Sequence, residues 1–167
     1  IPKKSKATKH LALFYLIGSL NAFAFAAGAS IYHPSGAYHA FLKPFIGFAA
    51  VHLIYFFLIY PENRFPRFSR VLMYVLYVLA AAASGVLIIQ MIYTKPQFDF
   101  NQESWVYNIP VMDRFVSIML LLYFLCAIII SVWRTMVLKD KRRWRILGMG
   151  FFIILSVIIP AIANGLS

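Results

Sequence analysis

Apolar positions in this chain fall in long unbroken runs, with polar residues gathered into short segments between them. "HLALFYLIGSLNAFAFAAGASIY" and "VLMYVLYVLAAAASGVLIIQMIY" show the pattern. A helix needs roughly 20 predominantly apolar residues to cross a hydrocarbon core about 30 Å thick. Five stretches meet that length, at about 10–32, 39–60, 71–93, 113–133 and 146–166. None has the period-two alternation of a lipid-facing barrel. The expected architecture is all-α: one polytopic membrane helix bundle over residues 1–167 with five transmembrane helices.

The polar segments give the bundle a direction. "IPKKSKATKH", "PENRFPRFSR" and "RTMVLKDKRRWR" share one side if the spans alternate. Together they hold every basic residue except Lys43, Lys95 and Arg114. Basic connectors stay cytoplasmic, so the N-terminus is expected inside and the C-terminus, after five spans, outside. Pro61 and Pro66 stop helices from running on through the second segment. The longest connector, "TKPQFDFNQESWVYNIPV", mixes rings with amides and acids. It reads as a lid over the bundle or as a segment lying in the interface.

Composition agrees. The chain is 62% hydrophobic and 13% charged, against about 45–50% and about 25% in soluble domains. Its net charge of +11 lies in membrane-flanking segments, so the lipid bilayer and not nucleic acid is the expected partner. Cys126 is the single cysteine and supports neither a disulfide framework nor a thiolate cage.

Catalytic chemistry has little to stand on. No phosphate loop, HExxH or CxxC occurs, and no Ser–His–Asp set assembles from acids confined to loops and membrane edges. No catalytic site and no cofactor are expected in this chain. The polar residues within the spans are few, among them Asn21, Ser30, His52, Ser84, Gln90 and Ser117. His52, mid-helix in "GFAAVHLIYFF", reads first as a neutral imidazole bonded to a neighbouring helix, and otherwise as a ligand contact. Haem is a minor possibility, since His39 and His52 are 13 residues apart, about 20 Å along a helix. That layout needs axial partners. His33 could approach His39, but His10 sits at the opposite edge, where His52 is expected hardly to reach. "IYHPSGAYHAFLKP" lacks further ligands for a metal, and Pro34 and Gly36 make it a turn. Lys43 is placed to snorkel to the headgroups.

Several segments together resemble the N-terminal seven-helix sensor region of bacterial signalling receptors, fused to histidine kinase, nucleotide cyclase or phosphatase domains. They are "IPKKSKATKHLALFYLIGSLN", "IYHPSGAYHAFLKPF", "FFLIYPENRFPR" and "RRWRILGMGFFIILSVIIPAIANGLS". The aromatic–Pro–Glu turn falls on Tyr60, Pro61 and Glu62, the basic stretch on Arg142 to Arg145, and the later Pro and Asn on Pro160 and Asn164. The resemblance implies helices two to six of seven, in the bacterial inner (cytoplasmic) membrane. It also implies a fragment that starts at Ile1 without an initiator methionine and lacks its signal-carrying last helix.

On that reading a small amphipathic or lipid-like ligand is expected in the outer half, lined by Tyr32, His33, Tyr38, His39, Trp105 and Tyr107. The same rings also fit an ordinary aromatic belt. Gly28, Gly85 and Gly148 are expected at close helix contacts, and Pro160 at a kink. A homodimer or a larger membrane complex is compatible with these features. The main alternative is an accessory transmembrane subunit of a respiratory or photosynthetic complex, followed by a haem or quinone protein. Transport is disfavoured by the few intramembrane polar groups and the lack of an internal repeat.

Overall fold

A computed structural model describes residues 5–100, 104–138 and 142–165. The chain is mostly helical: α1 (Lys6–Ser30), a 3-10 helix (Pro34–Phe45), α2 (Ile46–Ile59), α3 (Pro66–Tyr93), α4 (Pro110–Val137) and α5 (Arg142–Gly165). Two short strands, β1 (Pro96–Asp99) and β2 (Ser104–Tyr107), pair antiparallel between α3 and α4.

Local chemistry explains the boundaries. Ser5 caps α1 through Thr8 N–H, a common way to satisfy a free helix-end donor. Pro66 and Pro110 occupy the first turns of α3 and α4, where proline has no amide to lose and its fixed φ suits the helix. Those prolines start the helices several residues before the apolar runs at 71 and 113 begin. The starts of these two helices follow the prolines, and neither Phe65 nor Ile109 adds a side-chain cap.

The helix Pro34–Ile59 is apolar enough to cross a membrane but changes pitch at its middle. His33 caps the start of the tighter turn by accepting from Ser35 N–H. At the junction Ser84 Oγ of α3 donates to Pro44 O at 2.8 Å. The bond satisfies a carbonyl buried where the helix rewinds.

α2 is the centre of the bundle. Only Ile46, Phe48 and Tyr55 of its side chains escape full burial, and it packs against α1, α3 and α4. Its neighbours turn large apolar groups outward, including Phe23 at 72% exposure, Val78 at 68% and Leu121 at 67%. Such faces are stable against lipid and costly against water. Among the described residues four helices are long and apolar enough to cross a membrane: Lys6–Ser30, Pro34–Ile59, Pro66–Tyr93 and Pro110–Val137. This is a membrane protein. The backbone of α5 is helical through Pro160 and Asn164, whose side chains lie outside the described residues.

The glycine expectation needs correction. A methyl group at Gly28 would overlap the ring of His39, so that approach is real. Gly85 and Gly148 face open space, and the close packing falls at Gly47, beside Ala80 and Met119, and at Gly150, beside Ser131. A glycine's sequence position does not say which way its helix face points; packing does.

At the end of the bundle holding the Pro61 turn, Arg134 is 1% exposed. Its Nη2 donates to Tyr60 O at 3.0 Å and Glu62 O at 2.6 Å. Grouped by sequence with the surface-facing basic residues, it is instead a buried tie between α4 and the α2–α3 turn. Burying a guanidinium requires hydrogen bonds to offset its lost hydration.

Candidate functional site

The hairpin builds the opposite end. Its register sets Phe98 opposite Trp105 and Pro96 opposite Tyr107. Successive side chains in a strand alternate faces, so Trp105 and Tyr107 project together toward the bundle. Tyr107 meets Phe41 of the 3-10 helix edge-on at 5.9 Å. Trp105 Nε1 donates to Tyr32 O at 3.3 Å, and Phe98 stands edge-on to Trp105 at 5.5 Å. The hairpin docks on a small apolar cluster of Ala37, Ala40, Leu87, Met91 and Tyr107.

Beneath it lies a cavity of about 820 Å³. Leu87 and Met91 of α3 face Val116 and Leu120 of α4 across it, giving hydrocarbon walls. Lys43, Gln97, Asp99, Asn108 and Ser117 supply polar groups of both charges around the same space. An apolar interior with a few convergent polar groups is the ordinary form of a small-ligand site, commonly 300–1,000 Å³. Burial raises the pKa of the Tyr107 phenol above the ordinary 10.0, with a smaller contribution from Tyr38.

The residues expected around a ligand are dispersed. Tyr107 lines the cavity, and Trp105, outside its lining, ties the hairpin to Tyr32 O. Tyr32 and Tyr38 are about 70% exposed, and His33 is exposed and serves as a helix cap. His39 is buried against Gly28, bonded through Nδ1 to Gly36 O. In the sequence Lys43 and Ser117 are isolated polar residues that nothing joins into a site, and Asn108 is a third that the fold brings to the same cavity. The only sequence signal for it was a polar residue between the aromatic strand and Pro110.

His52 belongs to another cluster. Its Nδ1 lies 3.0 Å from His10 Nδ1, and the Tyr77 hydroxyl lies 2.9 Å from both of its ring nitrogens. Tyr55 stands edge-on to His10 at 4.5 Å. This overturns the expectation that His10 and His52 hardly meet. α2 proper ends at Ile59 and α1 starts at Lys6, so at 1.5 Å per residue His52 is about 10 Å from the end of α2 and His10 about 6 Å into α1. Two imidazole nitrogens in direct contact leave no room for an iron between them. Among the described residues no three His, Cys, Asp or Glu side chains group closely enough to hold a metal ion.

No family model, curated protein or solved structure matches this chain.

Proposed function

We propose that the chain is the membrane-embedded sensor module of a bacterial signal-transduction protein, taking a small amphipathic ligand in the cavity under the hairpin. The observation that carries this reading is the cavity itself, with hydrocarbon walls, polar groups of both charges and a hairpin roof held by aromatic contacts. In this proposal α5 is a fifth span and the bundle sits in the cytoplasmic membrane. The basic segments face inward and the hairpin outward, in keeping with the positive-inside pattern.

Transmission needs an element that touches both ends, and α4 does. Val116, Ser117 and Leu120 wall the cavity, while Arg134 ties the far end of the same helix to Tyr60 and Glu62. A ligand that fits one packing of α4 better than another shifts the population between them, by no more than its difference in affinity. The shifted Pro61 turn then presents a different face to a cytoplasmic effector on a longer polypeptide.

The test is native mass spectrometry of the protein and its partners from their own membrane, beside Lys43→Leu and Tyr107→Ala variants. A co-purifying amphiphile lost from both variants, on a polypeptide carrying an effector domain, supports the sensor. A stoichiometric assembly with other membrane subunits and no bound amphiphile replaces it with the accessory subunit.

A further inference from the structure

Lys43 enters the cavity under the hairpin from a depth that its place in the sequence does not show. The carbonyl of its neighbour Pro44 accepts from Ser84 Oγ, and Ser84 lies nine residues before the end of α3 at Tyr93. That length of helix rises about 13 Å, so Lys43 is rooted well below the hairpin end, within an apolar span. Residues three apart share one face of a 3-10 helix, which stacks Ala37, Ala40 and Lys43 in one column. At α-helical pitch Lys43 would sit roughly 60° round from Ala40.

Above Lys43 the column is covered. Ala37 and Ala40 are buried in the cluster with Leu87, Met91 and Tyr107, which closes the direct path up the helix face to the headgroups. The lysine side chain lines the cavity instead and has no hydrogen bond or ion pair among the described residues. Asp99, which lines the same cavity, already has a partner within the chain. An unpaired ammonium inside an apolar span is costly and calls for a counter-charge.

The cavity also opens sideways. The Tyr123 hydroxyl of α4 donates to Leu76 O of α3 at 2.9 Å. Elsewhere these two helices scarcely touch, and each packs on α2 instead. Ile109 and Pro110 line both this cavity and a smaller space, about 380 Å³, between the end of α3 and the start of α4. The walls of that space turn to lipid, with Tyr93 85% and Val111 81% exposed.

We infer that the ligand of this cavity is an anionic amphiphile, its head paired with the Lys43 ammonium and its alkyl chain leaving between α3 and α4 into the bilayer. The inference rests on the small-ligand reading proposed above for the same cavity, and adds the ligand's charge and its route. Val116 and Leu120 flank the chain, and the Ser117 hydroxyl and Asn108 amide are donors in the same lining for further head oxygens. Carboxylate, sulfonate and phosphate heads share this chemistry.

The test uses the full chain in phosphatidylcholine nanodiscs and three probes of equal chain length: dodecanesulfonate, dodecanol and dodecyltrimethylammonium. Binding beyond that of empty nanodiscs is measured by equilibrium dialysis of the labelled probes. Dodecanesulfonate should saturate and bind about tenfold or more tighter than dodecanol, the size expected of one hydrogen bond to a charged group. Lys43→Met should erase that preference, and Lys43→Arg should keep it. Val116→Trp, which fills the cavity and leaves Lys43 in place, should weaken both probes. Equal affinity for dodecanol, tighter binding of the ammonium probe, a preference that survives Lys43→Met, or full-strength binding by Val116→Trp would overturn the assignment while leaving an amphiphile site. No saturable binding of any probe would overturn the assignment and the small-ligand reading together.

Discussion

Tyr107 stands edge-on to Phe41, with ring centroids 5.9 Å apart and planes at 80°, and this contact fastens the hairpin to the 3-10 helix. Edge-to-face pairs contribute about 0.5–1.5 kcal/mol beyond the area they bury. Tyr107→Ala should therefore loosen the roof without unfolding the bundle. Amide hydrogen exchange across β1 and β2 is expected to speed up several-fold, with α2 unchanged. Equal acceleration in α2 would show the hairpin to be part of the core.

The same residue predicts a pH effect. Its phenol titrates above the ordinary 10.0 because burial, and then Tyr38, disfavour the anion. A group with its folded pKa raised holds its proton more tightly in the folded state, so its contribution is complete below about pH 10 and declines as pH rises through the folded value. Hairpin protection should fall only on the alkaline side of pH 10. Tyr107→Phe keeps the ring and should abolish that fall; an unchanged profile would assign it to another group.

Arg134 predicts a stability effect at the far end. Arg134→Leu removes two charge-assisted bonds to Tyr60 O and Glu62 O, each of a kind contributing about 1.5–3 kcal/mol. Thermal melting in detergent should drop markedly, and limited proteolysis should cut at the Pro61 turn. Arg134→Lys should recover only part, since the shorter lysine side chain sets its ammonium back from the two carbonyls that Nη2 reaches.

Gly28 and Gly85 form a matched pair. Gly28→Ala places a methyl on the His39 ring, which is held by its bond to Gly36 O. The expected loss is about 1–3 kcal/mol, as for other overpacked sites. At Gly85 nothing lies within 4 Å, so Gly85→Ala should be neutral or slightly stabilising within a helix. Comparable melting temperatures for the two variants would mean the 3-10 helix yields freely.

Much of the helical pattern was legible because membrane spans announce themselves by composition. Runs such as 71–93 have nowhere else to go, and proline turns separate them. The hairpin was half legible. Alternating rings at Phe98 and Phe100, and at Trp105 and Tyr107, carry a strand's period, but inside a loop of mixed composition they read equally well as interface anchors. The site was hardly legible at all. His33, His39 and His52 drew attention as rare ionisable groups, yet one is a cap, one is packed on glycine and one is bonded to His10.

What the sequence determined by itself was transfer free energy, residue by residue: which segments prefer lipid, which stay in water and where prolines break the chain. Those are local quantities and need no knowledge of neighbours. Tertiary structure decided which side chains meet, since a helix hydrophobic all round carries no mark of its inner face. The central place of α2, the burial of Arg134, the meeting of His10 with His52 and the cavity behind Tyr107 all depend on helix rotation and end-to-end offset. Packing complementarity between distant segments sets both, and a linear pattern of hydropathy does not contain it.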